Sequence, residues 1–206
     1  MSFYEEHVLP HLIGAACGVK PITHQRRLIV PHAEGCVLEV GLGAGPNLAF
    51  YDPSKVDLVF GLEPSAGMRR KARKAVAASP VKVELIDLPG ENVPLDDASV
   101  DTVVLTYTLC TIPGWRQALA EMRRVLKPGG RLLFSEHGLS PDAGIAKWQR
   151  RIEPAWKVVA GGCHLTRPMD RMITEGAFSF DRIETGYLPH SPKFAGFNYW
   201  GSARPR

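Results

Sequence analysis

Several features that would place this chain in other classes of protein are missing. No apolar run reaches the roughly 20 residues that span a bilayer. The longest near the start, Val8 to Val19, is interrupted by Pro10 and His11 and follows no basic segment. Cysteine is scarce, and none of the four forms a CxxC pair: Cys17, Cys36, Cys110 and Cys163. These absences predict reduced thiols, no secretory signal, no transmembrane segment and a cytoplasmic protein whose membrane contact, if any, is peripheral.

A strong net charge of either sign is also missing. The net charge is +4, from 25 Lys plus Arg against 21 Asp plus Glu. The densest basic run, Arg69 to Lys74, lies on a predicted helix among Ala, Met and Val, without the aromatic partners that nucleic-acid surfaces usually carry. It therefore reads as a solvated helix face, and we expect no nucleic-acid partner. With 206 residues and no internal repeat, a single domain is expected.

Short apolar runs bounded by turn residues recur along the chain and predict buried strands. They are Cys36 to Val40, Val56 to Leu62, Val81 to Asp87, Val100 to Thr106 and Arg131 to Glu136. Helices are predicted at Thr23 to Val30, from Pro46 onward, at Ala66 to Ala78 behind an N-cap at Ser65, and across Trp115 to Leu126. This alternation predicts an α/β fold with a Rossmann-like, doubly wound, mostly parallel sheet.

The second half of the chain departs from this rhythm. Two helical segments separated by Pro154 are predicted between residues 140 and 166, and a short helix is predicted near Pro168 to Glu175. Two last strands, Phe180 to Tyr187 and Phe197 to Ala203, suggest an antiparallel C-terminal hairpin. With this hairpin the predicted sheet has seven strands.

A glycine-rich loop gives the strongest functional signal. Glu39 is followed by Gly41, Gly43 and Gly45 at the end of the first predicted strand, where glycines let the backbone approach a ligand. Pro46 stands where the nicotinamide fingerprint needs Gly or Ala, and no Gly-Lys-Ser/Thr follows, so neither a nicotinamide site nor a P-loop is predicted. An acidic residue before the loop suits a ligand with an ammonium group, and S-adenosylmethionine carries an ammonium and a sulfonium.

Glu63 supports this interpretation. It stands at the end of the second predicted strand, 18 residues past Gly45, where a carboxylate can accept hydrogen bonds from both hydroxyls of a ribose. An acidic residue before a helix N-terminus would be favourable without any ligand. The glycine loop at the matching spacing favours ribose binding.

Three segments together resemble class I S-adenosylmethionine-dependent methyltransferases. They are Val37 to Gly45, Gly90 to Asp101 and Arg123 to Gly130, which together span about residues 36 to 136. Many relatives carry an Asp for the adenine where this chain has Pro89, so recognition of adenine through the backbone of Gly90 and Glu91 is expected. The resemblance and the loop predict these cofactor-binding residues: Tyr4, Glu39, Gly41, Leu42, Gly43, Gly45, Asn47, Glu63, Pro64, Met68, Pro89, Gly90, Glu91, Thr106, Tyr107 and Leu109.

The second half resembles a narrower branch, the thiol S-methyltransferases of the methyltransferase-like seven group. The residues that carry this resemblance are Leu109-Cys110, Glu136-His137, Glu153 to Trp156 and Gly162 to Arg167. Vertebrate members have an N-terminal membrane anchor, which is not expected here. The resemblance implies four regions: an N-terminal helical lid (1–35), a cofactor-binding core (36–137), a substrate-side helical insertion (138–176) and the hairpin (177–206).

The expected reaction is methyl transfer to a small acceptor, with a thiol favoured. A thiol reacts as the thiolate, so a base is useful, and His137 and His164 are the predicted catalytic residues. Each could instead make an ordinary structural hydrogen bond, and Cys110 suits a packed residue better than a nucleophile. Cys110, His137, Cys163 and His164 are zinc-type ligands, but their long separations argue against a metal, and none is predicted.

Two alternatives stay open at this point. One is N- or C-methylation of a lipid amine or a quinone-like acceptor, because Trp148 and Trp156 suit any apolar substrate. The other is a protein that binds S-adenosylmethionine without turnover, since the glycine loop and Glu63 argue for binding and not for catalysis. The oligomeric state is not predicted.

Overall fold

A computed structural model describes Leu9, His11, Gly14 and residues 17–206 of the chain. Within this part, seven strands form one sheet. Their bounds are β1 Gly35–Val40, β2 Val56–Leu62, β3 Lys82–Ile86, β4 Val100–Thr106, β5 Leu126–His137, β6 Phe178–Tyr187 and β7 Phe197–Pro205. The helices are α1 Lys20–Ile29, α2 Ala66–Ala77, α3 Trp115–Val125, α4 Ala143–Val159, α5 Met169–Glu175 and α6 Lys193–Gly196, with 3₁₀ turns at Val30–His32 and Leu48–Phe50.

The sheet has the order β3-β2-β1-β4-β5-β7-β6. The first five strands run parallel, and β7 is antiparallel to both β5 and β6. The order reverses between β1 and β4, which is where ligands bind in folds of this kind. The predicted α/β fold, its seven-stranded and mostly parallel sheet and its antiparallel C-terminal hairpin are confirmed.

Both faces of the central strands are buried, which explains their continuous apolar sequence. In β1, Leu38 packs into the core cluster on one side of the sheet and Val37 into the cluster on the other. Helix α3 covers the Leu38 side with the apolar face that its sequence predicts, Ala118, Leu119, Met122 and Val125. These layers hold the carboxyl ends of β1, β2 and β4 side by side.

The predicted helix after Gly45 is wrong. Only the 3₁₀ turn Leu48–Phe50 forms there, because two features end it. Tyr51 turns inward and its hydroxyl donates to Glu39 Oε2 at 2.7 Å. Pro53 follows two residues later, and the residue before a proline is disfavoured in helical conformation.

Two boundaries in the second half also differ from the prediction. Pro154 lies inside one continuous helix, α4, and does not separate two helices. The carbonyl that loses its donor is that of the exposed Arg150, where water can bond it. Strand β5 begins at Leu126, opposite Val100, so the segment Lys127 to Gly130 is part of the strand.

The predicted N-cap is present: Ser65 Oγ accepts a hydrogen bond from Met68 N at 3.3 Å. Among the helices of the described part, none has the length and hydropathy needed to cross a bilayer. Tyr4 lies outside the described residues.

Candidate active site

Two neighbouring cavities open at the carboxyl edge of the sheet. The first, here called the strand-edge cavity, has a volume of about 270 Å³ and lies beyond β1, β2 and the segment that follows β3. The second, the sulfur-lined cavity, has a volume of about 610 Å³ and lies between α1, α4 and the β6–β7 connection. Tyr107 and Thr111 line both cavities, so whatever occupies one is in reach of the other.

The backbone of the glycine loop shapes the strand-edge cavity. Gly41 has φ +74°, and the side chain of Thr108 occupies the space that a Cβ atom at this position would need. Gly43 has φ +60° and borders the cavity. A Cβ atom at Gly43 would have the carbonyl oxygen of Gly41, 4.0 Å away, as its nearest neighbour. A side chain at Gly43 would therefore enter the cavity, and the glycine keeps that space free for a ligand.

Glu63 is one of two carboxylates that line this cavity, together with Glu91. Its Oε2 accepts a hydrogen bond from Gly43 N at 2.9 Å, and its Oε1 accepts one from Ser65 N at 2.8 Å. Burial raises the pKa of Glu63, although these two amides favour the carboxylate. Arg69 fixes the end of β2 by donating to the carbonyl of Glu63 at 2.7 Å.

Glu39 lies behind the glycine loop and does not line the cavity. Its carboxylate accepts hydrogen bonds from Tyr51 and from Asn47 Nδ2 (2.9 Å), and Arg26 donates to Asn47 Oδ1 at 2.7 Å. Burial raises the pKa of Glu39 to about 7, against the effects of Tyr51, Arg26 and Asn47. In the structure Glu39 supports the loop from inside.

Nine of the predicted cofactor-binding residues line the strand-edge cavity: Gly41, Gly43, Glu63, Pro64, Met68, Pro89, Gly90, Glu91 and Tyr107. Six do not line it, because they are buried behind its wall: Glu39, Leu42, Gly45, Asn47, Thr106 and Leu109. Thr108, which the sequence places beside the transferred methyl group at the end of the fourth strand, also lines it. Sequence reasoning missed Thr111, another lining residue, whose place in the turn after β4, at the switch point of the sheet, was the available signal.

The sulfur-lined cavity is walled mainly by apolar side chains, including Ile22, Trp156, Leu188 and Phe194. Trp156 and Phe194 pack edge to face, with their ring centroids 5.7 Å apart. Trp148, the other tryptophan considered for an apolar acceptor, is half exposed and does not line this cavity. The cavity therefore suits a small apolar molecule.

Tyr107 separates the two cavities. It has φ +53°, and its hydroxyl donates to Asn198 Oδ1, on β7, at 2.8 Å. The guanidinium of Arg26, on α1, lies over its ring, 5.3 Å from the centroid. Contacts from both ends of the described chain thus hold this side chain in place.

Two cysteine thiols and one imidazole meet at the sulfur-lined cavity. His137 Nε2 lies 3.1 Å from Cys163 Sγ, and Cys163 Sγ lies 3.7 Å from Cys110 Sγ. The hydrogen bond between the Cys110 and Cys163 sulfur atoms and the neighbouring His137 lower the pKa of Cys163 against the effect of burial. Burial opposes a charged imidazole, but Cys163 and Glu136 outweigh it and raise the pKa of His137. We call Cys110, His137 and Cys163 the Cys-His cluster.

His164 is not part of this cluster. Its Nδ1 lies 3.4 Å from Glu153 Oε1, and its backbone N–H donates to the carbonyl of Cys110 at 2.9 Å. Glu153 also accepts hydrogen bonds from the backbone N–H and the hydroxyl of Thr166. Of the two predicted catalytic histidines, the structure brings only His137 to a cavity.

Comparison with known proteins agrees with this geometry. Residues 38–134 match the family described as methyltransferase domain. The chain is 39% identical over 173 residues to thiol S-methyltransferase TMT1B of Rattus norvegicus, covering 79% of this chain and 70% of that protein. This chain therefore belongs to the same methyltransferase family as TMT1B. It is also 33% identical over 166 residues to human thiol S-methyltransferase TMT1A, covering 78% of this chain and 67% of that one.

The fold of this methyltransferase is shared by solved structures of low sequence identity. A SAM-dependent methyltransferase from Leishmania major superposes with a TM-score of 0.69 at 14% identity, covering 98% of this chain and 80% of that chain. The protein is accordingly an S-adenosylmethionine-dependent methyltransferase with a class I, Rossmann-like fold.

Proposed function

We propose that this methyltransferase transfers the methyl group of S-adenosylmethionine to the sulfur of a small apolar thiol. The observation that carries the proposal is the wall of Tyr107 and Thr111 between a charged cavity and an apolar, sulfur-lined one. A donor in the first and an acceptor in the second would meet at this wall. Methyl transfer requires such alignment more than any single reactive side chain.

The strand-edge cavity fits the donor. Glu63 accepts the ribose hydroxyls, the open space at Gly43 admits the ligand beside the glycine loop, and the backbone of Gly90 and Glu91 borders the adenine. Glu39 acts through the loop it supports. When bound, S-adenosylmethionine supplies an activated methyl group, and this chain orients it and excludes water.

The sulfur-lined cavity fits a neutral apolar acceptor better than an amine. The described residues that line it include Lys20 but no Asp or Glu, so a cationic amine finds no carboxylate to pair with. A thiol must lose its proton before it attacks. The Cys-His cluster is where this happens, with His137 taking part and His164 not.

The assignment of donor and acceptor to the two cavities also gives roles to the regions outside the core. Residues 138–176 and the hairpin, 177–206, select the acceptor together with α1, and Tyr4, in the N-terminal region 1–35, closes over the donor. A reducing, cytoplasmic compartment suits a protein whose four cysteines are all free.

The test is a matched acceptor panel. Purified protein is incubated with S-adenosylmethionine and an alkyl or aryl thiol, or with the amine, alcohol or phenol of the same carbon skeleton, and S-adenosylhomocysteine is followed by mass spectrometry. Product with the thiols alone is expected. Product with the amines or phenols alone would overturn the thiol assignment, and binding of S-adenosylmethionine without product from any acceptor would overturn the catalytic one.

A further inference from the structure

The Cys-His cluster has the geometry of a metal site. In a tetrahedral zinc site with Zn–S bonds of about 2.3 Å, two sulfur ligands lie about 3.7 Å apart. The Sγ atoms of Cys110 and Cys163 are 3.7 Å apart. His137 Nε2 is 3.1 Å from Cys163 Sγ, a few tenths of an ångström less than a nitrogen–sulfur edge of such a site. All three ligand atoms lie within 4.8 Å of one another.

We infer that Cys110, His137 and Cys163 bind one Zn²⁺ ion, and that its fourth coordination position takes the sulfur of the acceptor thiol. The inference rests on the proposed thiol methyltransferase function and specifies how the acceptor loses its proton. Three protein ligands with one open position are typical of catalytic zinc sites, whereas structural sites are closed by four. Two thiolates and an imidazole are ligands that select zinc over magnesium or calcium.

The open position faces the acceptor. All three side chains line the sulfur-lined cavity, whose walls are otherwise mostly apolar. Cys17 also lines this cavity but is not one of the three ligands that converge. An ion at the cluster would thus have one side free toward the space that a thiol would occupy.

The surroundings hold the ligands in place. Glu136 Oε1 accepts hydrogen bonds from the backbone N–H groups of Thr108 (2.7 Å) and Leu109 (3.0 Å), which fixes the turn that carries Cys110. Arg167 donates to the carbonyl of Ile112 at 2.8 Å and also to that of Leu109. A preformed set of ligands loses little conformational entropy when the ion binds.

The chemistry balances without any further reactant. Coordination releases the acceptor S–H proton to solvent, and the sulfur stays on the ion as a thiolate. That sulfur then uses an electron pair to form a bond to the methyl carbon. The broken carbon–sulfur bond leaves its electron pair on S-adenosylhomocysteine. The product is a neutral thioether, a poorer ligand than a thiolate, and it leaves the open position.

The first experiment measures the metal itself. The protein, reduced and kept free of chelator, is incubated with Zn²⁺ and desalted. Its zinc content is then measured by inductively coupled plasma mass spectrometry. We expect about one zinc per chain. Replacement by Co²⁺ gives a second readout, because sulfur-to-cobalt charge transfer reports thiolate ligands, and addition of an acceptor thiol should change this spectrum.

Matched variants assign the ligands. C110S, C163S and H137Q should each lose most of the bound metal and the cobalt–sulfur absorption. C36S and H164Q change the same residue types outside the cluster and should keep both. C17S should also keep the ion, since a site closed by Cys17 would have no position for the acceptor. Binding of S-adenosylmethionine to each variant checks that the strand-edge cavity is intact.

The outcomes separate this inference from the proposed function. No bound metal in the wild-type protein, together with S-adenosylhomocysteine formed from thiols, would overturn the zinc site and leave the function standing. Bound metal with no change of the cobalt spectrum on adding thiols would overturn the role of the fourth position. Zinc bound through the cluster while only amines are methylated would overturn the proposed function and leave the metal site.

Discussion

The two cavities of this methyltransferase differ in the parts of the chain that line them. The strand-edge cavity is bounded largely by the glycine loop and by residues at or just after the ends of β1, β2 and β4, with Glu63 and Glu91 as its carboxylates. The sulfur-lined cavity is bounded by side chains from five separate segments, most of them apolar. A cavity made by backbone is fixed by the sheet, whereas a cavity made by side chains can change without moving a strand. We therefore expect the proposed donor site to be the less tolerant of substitution and the proposed acceptor site to decide the substrate.

The largest expected effect tests whether the backbone shapes the donor site. Gly41→Ala should lower the free energy of unfolding by about 3 kcal/mol, because it adds a positive-φ penalty and an overlap with Thr108. Gly129→Ala is the matched control: its φ is +84°, but its Cβ would meet nothing within 4 Å, so a loss of about 1 kcal/mol is expected. Urea unfolding measures both. Equal losses would show that the overlap at Gly41 contributes nothing.

Glu63→Gln should weaken binding of S-adenosylmethionine by about 2 kcal/mol, or roughly thirtyfold, because charge-assisted hydrogen bonds are replaced by neutral ones. The KM for the acceptor thiol should stay the same. Glu84→Gln, on the neighbouring strand β3, removes an exposed carboxylate paired with Lys82 and should leave both values unchanged. Isothermal titration calorimetry gives the affinities, and a Glu63 variant with wild-type affinity would remove this residue from the donor site.

Substitution of a tryptophan in α4 tests the acceptor side of the comparison. Trp156→Ala should raise the KM for an apolar thiol about tenfold, a loss of about 1.4 kcal/mol, with unchanged affinity for S-adenosylmethionine. Trp148→Ala alters the same helix outside the cavity and should change neither quantity more than twofold. Steady-state kinetics with both variants decides the point, and equal effects would mean that α4 does not contact the acceptor.

The smallest effect is a pH dependence from Glu39, whose raised pKa of about 7 reflects burial behind the donor site. A carboxyl whose pKa is raised on folding holds its proton in the native state above pH 4.5. Its contribution to stability is therefore lost as pH rises through 7. Between pH 6 and pH 8 the wild-type protein should lose about 1 kcal/mol relative to Glu39→Gln. Urea midpoints across this range measure the difference. A constant difference would place the pKa of Glu39 below this range.

The sequence predicted the donor half of the molecule well because local rules govern it. The bounds of β2 and β4 match the apolar runs, and Glu63 follows from its place at a strand end. The helix expected after Gly45 failed where Pro53 and the inward turn of Tyr51 outweighed the favourable position of Pro46. The sequence places Glu39 before the loop but does not reveal that its carboxylate faces away from the strand-edge cavity.

The acceptor half depends on contacts between residues far apart in the sequence. Cys110 and Cys163 are 53 residues apart, and His137 stands between them, so no spacing rule brings the three together. Their meeting depends on β5 lying beside β4 and on the loop after α4 returning to the turn that follows β4. His164 and Cys163 are adjacent in sequence, and only the fold separates the one that lines the cavity from the one that pairs with Glu153.

The place of β7 between β5 and β6 has a consequence for how the protein is made. Every described residue that lines the strand-edge cavity precedes β6 in the chain, and β1 to β5 can pair as they leave the ribosome. At the edge of the described sheet, β6 pairs with β7 and must wait for it. The connection between these strands walls the sulfur-lined cavity. During synthesis all described residues that line the strand-edge cavity thus leave the ribosome before the last residues that line the sulfur-lined cavity.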